Sequence, residues 1–193
     1  MKKIFIFINF FILIISNSYA ENLGEIKRIN VGNEKAKIII IAYESLTCNH
    51  CADFHKDVYP QLKQDYIDTG LARIEFRHFP LNIVAFNAAK IAQCKNDGSS
   101  IVLEKLYKNQ KKWVKGNSEE EANKWLFNFL TNESLGMDFK KCLENKKIED
   151  FVLNDRIEGV KKFNVNATPT IIINNKKFEK SLNYKNLKKS LEK

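Results

Sequence analysis

A junction restricts this chain more than any other feature. Lys37-Ile38-Ile39-Ile40-Ile41-Ala42-Tyr43 is an unbroken run, rich in β-branched residues and too short for a helix. It reads as a strand buried on both faces, and so as the central strand of a covered sheet. Ser45-Leu46-Thr47-Cys48-Asn49-His50-Cys51 follows at once, and then Phe54, Val58, Leu62 and Tyr66 recur at every fourth position as the apolar stripe of an amphipathic helix. Gly70 supplies the stop, and Pro60 is expected to kink the helix. Two cysteines with two residues between them therefore stand where a buried strand passes into a helix N-terminus.

That position has chemical consequences. The free N–H groups of a first helical turn and the helix macrodipole favour an anion, so the thiol of Cys48 ionises more easily there. His50, between the cysteines, is expected to add positive charge or a hydrogen bond to the sulfur. Cys48 should then have a depressed pKa, a stable reduced form and an oxidising disulfide, with Cys51, one turn in and more buried, as the resolving partner. Two other readings compete: an inert structural disulfide, or half a zinc site completed by His55, four residues after Cys51. Zinc would want further ligands, and neither His78 nor the distant Cys94 and Cys142 forms a second ligand pair with suitable spacing. The strand-to-helix setting is the one that tunes a thiol, which favours redox chemistry.

The compartment comes from the first twenty residues. Lys2 and Lys3 precede an apolar run from Ile4 to Ile15, and Ser18-Tyr19-Ala20 places small residues at a cleavage position. Residues 1–20 thus read as a cleaved signal peptide. An uncleaved anchor is disfavoured because the run falls short of the roughly 20 residues a spanning helix needs. The folded unit is then 21–193, enough for one core and too short for two ordinary domains. A net charge of +9 could mark a nucleic-acid partner. The lysines are spread along the chain rather than clustered, so no nucleic-acid role is expected. In an oxidising compartment four cysteines read as disulfides. With Cys48 and Cys51 forming a tight loop, Cys94 and Cys142 remain for each other; two free buried thiols are the alternative.

Downstream, Leu71 to Phe79 alternates Ala72, Ile74 and Phe76 with Arg73, Glu75 and Arg77, a second strand with one wetter face. From about 84 to 145 the pattern is helical. Val84, Ala88 and Ile91 share a face, and Ser118 with Glu121 opens a helix carrying Leu126, Phe127 and Leu130 on one side. Trp113 and Trp125 are expected in the core, ahead of any cofactor-stacking role. Another helix is predicted over about 147–164. Ala167-Thr168-Pro169-Thr170 then leads into Ile171-Ile172-Ile173, Asn174-Asn175 makes a hairpin turn toward Lys176-Lys177-Phe178, and a helix over about 183–191 closes the chain. Cys94 follows Ile91 by three positions and Cys142 follows Phe139 by three, so each projects from the apolar stripe of a separate helix.

This order, with Ser45-Leu46-Thr47-Cys48-Asn49-His50-Cys51-Ala52, Phe79-Pro80-Leu81 and Ala167-Thr168-Pro169-Thr170, resembles the DsbA-like thiol:disulfide oxidoreductases, an α/β thioredoxin-like fold with an inserted helical domain. The resemblance implies that Pro169 is cis and packs beside Cys48 and Cys51, and that Thr168 offers backbone groups to an extended substrate. It also implies that Cys94 and Cys142 form the second, structural disulfide of a subset of this family. The expected activity introduces disulfides into exported proteins in the periplasm. Clients would be unfolded or reduced exported proteins, with a membrane partner resembling DsbB for re-oxidation. An isomerase or reductase of the same fold is the nearest alternative, and a non-catalytic metal-binding exported protein a more distant one. No cofactor or metal is expected, and the protein is expected to be a monomer. Two departures stand out. Asn49 occupies a position commonly Pro in the family, and Ala42 stands where a carboxylate often lies six residues before the first cysteine. Glu44, two residues on and on the same strand face, is a candidate for the proton-handling role.

Overall fold

The computed structural model describes residues 25–133 and 135–192. The expected signal peptide, residues 1–20, lies outside the described residues. Five strands form one sheet: β1 (Ile29–Gly32), β2 (Ile38–Glu44), β3 (Ala72–His78), β4 (Thr170–Ile173) and β5 (Lys176–Lys177), in spatial order β1-β3-β2-β4-β5. β2 and β3 pair in parallel, and the other pairs are antiparallel. A parallel pair needs a crossover, and helix α1, residues 49–67, supplies it. β1 was not anticipated, since four residues at a sheet edge are too few to show a period.

The chemistry of each strand follows from what covers it. On β2, Ile40 and Ala42 face the main core with Phe54, Leu62, Ile74 and Phe76, while Ile41 and Tyr43 face a smaller cluster with Phe79, Phe163 and Ile172. A strand covered on both faces leaves no place for polar alternation. The outer face of β3 carries charge but is not wet. Glu75 is held by Arg73 at 2.6 Å and by Arg77 at 3.0 Å, and Arg77 reaches Glu158 at 2.9 Å and the Tyr43 hydroxyl at 3.2 Å. With its charges paired, that face can be covered by helix α7 (Lys146–Phe163), which carries Glu158 and Phe163.

Helix α1 departs from a plain α-helix. It runs α-helical over Asn49–Asp53, as a π turn over Phe54–Val58, α-helical over Tyr59–Leu62, and as a second π turn over Lys63–Ile67. A four-residue repeat drifts by about 40° per step on an α-helix turning about 100° per residue. The wider π turns take up that drift and keep Phe54, Val58, Leu62 and Tyr66 all buried. Pro60 is the second residue of the Tyr59–Leu62 turn, just after the first π turn. At Pro60, where a kink is expected, the helix changes hydrogen-bond register next to the missing proline N–H.

Helices α2 (Ile83–Gln93), α3 (Ile101–Lys108), α4 (Gln110–Trp113), α5 (Glu119–Asn132) and α6 (Phe139–Glu144) lie between β3 and α7, and α8 (Tyr184–Leu191) closes the fold. Trp113 is fully buried and donates from its indole to the Leu106 carbonyl at 2.9 Å. Trp125 corrects the expectation of a core residue. It is 43 % exposed and lies under the Lys115 ammonium, 4.6 Å from the ring centre. Phe127, 46 % exposed, likewise leaves the predicted stripe and meets Phe139 edge-on. The buried stripe of α5 is Ala122, Leu126, Phe129 and Leu130, a spacing of four, three and one that excludes both. Cys94, at the end of α2, and Cys142, in α6, are joined by a disulfide. At the far hairpin Asn174 and Asn175 both have positive φ, 45° and 66°, which asparagine tolerates.

Candidate active site

Cys48 is the N-cap of α1 and Cys51 lies in its first turn. The preceding loop is held from three sides. The Cys48 N–H donates to the Ser45 carbonyl at 2.9 Å, and Ser45 Oγ accepts from the Leu81 N–H at 3.3 Å. Thr47 Oγ1 accepts from Asn82 at 3.2 Å. Gln110, buried at the start of α4, donates its amide to the carbonyls of both Leu46 and Cys48, at 2.8 and 3.0 Å. No local pattern marks Gln110 as part of this site, because only tertiary packing brings α4 to the loop.

The two thiols differ sharply. Cys48 is partly exposed and Cys51 is fully buried. Cys48 is pulled down to about 5, first by the hydrogen bond from Cys51, against the cost of its own burial, with help from Thr168 and from the backbone N–H groups of Cys51 and His50. Burial pushes Cys51 far above the ordinary thiol range, and its contact with Cys48 and the nearby Glu44 charge act in the same direction. The Thr168–Pro169 bond is cis, and the Cys48 sulfur lies 3.3 Å from the Thr168 carbonyl. The Thr168 hydroxyl is buried with no hydrogen-bond partner in the protein, a donor available to the thiolate.

The structure corrects the geometry expected of His50. Its ring points outward, 86 % exposed, with Nδ1 3.9 Å from Asp53 Oδ2. Its backbone N–H is one of the groups that lower the Cys48 pKa.

Beneath Cys51 lies a buried polar group that sequence reasoning divided between two roles. Glu44 Oε2 is 2.9 Å from His55 Nε2, and both side chains are almost wholly buried. His55 stacks on Tyr107, with ring centres 4.1 Å apart. This pairing turns His55 to Glu44 rather than into a zinc set with Cys48 and Cys51. Among the described residues no cluster of His, Cys, Asp and Glu is arranged to hold a metal ion. Glu44 Oε1, His55 Nδ1 and the Tyr107 hydroxyl are buried without hydrogen-bond partners in the protein. The tyrosine hydroxyl is pushed well above the phenol range by burial and then by the Glu44 charge. His78, the remaining imidazole, is remote in role. It is buried against Gln93 at 3.3 Å, and burial lowers its pKa.

The arrangement provides an accessible sulfur stable as an anion, a buried sulfur that resists ionisation, and a carboxylate–imidazole pair below the second. Known proteins are similar to this chain in sequence and fold. The thioredoxin family profile matches residues 25–193. A Rickettsia bellii protein that carries a protein-disulfide oxidoreductase name is 32 % identical over 148 residues, covering 75 % of this chain and 56 % of its own length. This chain spans about half the length of its Rickettsia relatives. Disulfide bond formation protein D of Bacillus subtilis is 24 % identical over 170 residues, covering 84 % of this chain and 75 % of its own. Among solved structures, α-DsbA1 of Wolbachia pipientis superposes with a TM-score of 0.75 at 29 % identity, covering 86 % of this chain and 89 % of that one. Profile, fold and spacing agree along the same residues: the chain belongs to the thioredoxin family, on its DsbA-like branch.

Proposed function

We propose that this chain is an exported thiol:disulfide oxidoreductase that introduces disulfides into exported proteins through Cys48 and Cys51. The observation that carries this reading is the inequality of the two sulfurs. In the oxidised enzyme a client thiolate attacks Cys48, the Cys48–Cys51 bond breaks, and Cys51 leaves and takes up a proton. A second client thiolate then attacks the client sulfur of the mixed disulfide, and Cys48 leaves as a thiolate. Two electrons pass from client to enzyme, and a leaving group comfortable as an anion favours that direction.

Each remaining residue has a part in this scheme. The Cys51 sulfur departs into a buried site that cannot hold it charged, and the adjoining Glu44, paired with His55, is the acid–base group through which its proton passes. Thr168 and cis Pro169 lie beside Cys48, and an extended client segment pairs with the backbone there. The Cys94–Cys142 bond is structural and takes no part in exchange. The lysine-led apolar leader of residues 1–20 carries the export assignment, to the periplasm, and a membrane protein resembling DsbB restores the disulfide. The relatives' names, which speak of disulfide formation and protein-disulfide oxidoreduction, support the same direction.

Equilibration with glutathione tests the reading. The expected potential lies near the roughly −120 mV typical of strong thiol oxidants of this fold; a value near the roughly −270 mV of thioredoxin would assign a reductase instead.

A further inference from the structure

A cavity of about 770 Å³ opens between α1 and the helices α3 and α4. His55, Tyr59, Pro60 and Tyr107 line its inner surface with rings. Five lysines surround it, Lys56, Lys63, Lys108, Lys111 and Lys112, against two carboxylates, Asp53 and Glu104. Glu104 is already engaged, accepting from the Tyr59 hydroxyl at 3.2 Å and from Ser100 at 2.6 Å. Lys63 and Lys56 pair with Asp68 and Asp57. Lys108, Lys111 and Lys112 are in no ion pair among the described residues. The carboxylate that Lys108 and Lys112 influence at longer range, Glu133, is held by Lys105 at 2.7 Å. Three like charges within five residues thus stand over a ring-lined hollow with no counter-charge of their own, the complement of an anion that carries an apolar or aromatic body.

The cavity's position says which anion it suits. Ala52 and Asp53, one turn after Cys48, line one side, and Gln110, whose amide holds the Cys48 carbonyl, lines another. Anything tethered through the Cys48 sulfur needs only a few residues to reach it. We propose that this cavity docks an acidic, aromatic-containing segment of the client polypeptide, next to the cysteine that exchanges with Cys48. The assignment of the occupant to a client rests on the exchange function proposed above.

The test compares rates of attack on the oxidised protein by two single-cysteine peptides, one flanked by Asp, Glu and Phe and the other by Lys and Phe, with neutral 2-mercaptoethanol as reference. The acidic peptide is expected to react about tenfold faster at low salt, an advantage lost near 1 M salt, where the Debye length falls to about 3 Å. The K108Q/K111Q/K112Q variant should lose that advantage while its rate with 2-mercaptoethanol stays unchanged. The charge-reversed K108E/K112E variant should prefer the lysine peptide. An acidic peptide no faster than the basic one, or an advantage that survives the triple variant, would overturn the proposal.

A fluorescent acidic peptide with Ser in place of Cys separates docking from sulfur chemistry. Its anisotropy should rise with the wild-type protein and not with K108Q/K111Q/K112Q. If 2-mercaptoethanol fails to react while this peptide still binds, the exchange function falls and the docking site stands. If 2-mercaptoethanol reacts and the peptide does not bind, docking alone falls. An oligonucleotide of equal charge that competes as strongly as unlabelled peptide would overturn the choice of an acidic peptide.

Discussion

Cys48 and Cys51 are three positions apart in one helical turn, yet their environments push their ionisation in opposite directions. The rate at which iodoacetamide modifies the dithiol protein is therefore expected to follow a single titration with a midpoint near pH 5, owed to Cys48, with Cys51 unmodified. A midpoint near 8.5, that of an ordinary thiol, would contradict it. The same shift links to stability. The Cys48 pKa is lower folded than unfolded, so the thiolate stabilises the dithiol fold, most fully above the unfolded value and progressively less as pH falls toward about 5. The disulfide form has no such group. The melting temperature of the dithiol form relative to the disulfide form should accordingly drop between pH 8 and pH 5. At the carboxylate below, Glu44→Gln should slow exchange about a hundredfold, the lower end of the range for a positioned acid–base group, and leave the Cys48 alkylation midpoint in place; stopped-flow exchange rates across pH check this. Cys48 and Cys51 stood out by their spacing at the strand-to-helix junction, and Glu44 by its strand face once the family resemblance pointed to a carboxylate there. The outward ring of His50, the turn of His55 toward Glu44, and Gln110 and Tyr107 did not, since side-chain direction and contacts across distant segments leave no local pattern.

At the scale of elements, sequence patterns located β2, β3, β4 and the main helices, but not the edge strand β1 or how the elements adjust to one another. The stripe of α1 was plain in its four-residue repeat; the π turns that make the repeat workable were not, because they answer to the sheet beneath. Gly159 is a similar case. Glycine inside an 18-residue helix costs about 1 kcal/mol against alanine, yet a Cβ here would sit 2.8 Å from the ring of Tyr43. Tyr43 is fully buried on β2, and its hydroxyl is held by Arg77, so the ring has little room to yield. The crowding outweighs the gain in helix propensity. Gly159→Ala is expected to destabilise the fold by roughly 1–2 kcal/mol, read as a lower urea midpoint at unchanged slope.

At the scale of the whole molecule, the exchange site is assembled across the chain. β2 and α1 carry the cysteines, the β3–α2 connection and α4 hold their loop, and Thr168–Pro169 arrives from the segment before β4. Of the helices between β3 and α7, the first and the last, α2 and α6, are tied by Cys94–Cys142, whose bond closes a separation of 48 residues. Cys142 is buried in the main core, and neither cysteine of this bond contacts Cys48 or Cys51 among the interactions described above. Closing a loop of that length restricts the unfolded chain by roughly 4 kcal/mol in the chain-entropy account. For a folded unit of this size that corresponds to a melting temperature lower by on the order of 10 °C when the bond is removed. Replacing both residues, Cys94→Ala with Cys142→Ala, avoids leaving a reactive single thiol. Calorimetry should show that fall, while client oxidation per folded molecule at a temperature well below the transition stays within about twofold of wild type, because the Cys48 loop is held by α4 and by Leu81 and Asn82 at the start of α2, the opposite end of that helix from Cys94. An equal loss of turnover would mean that the bridge sets the geometry of the exchanging sulfurs and does more than limit the unfolded chain.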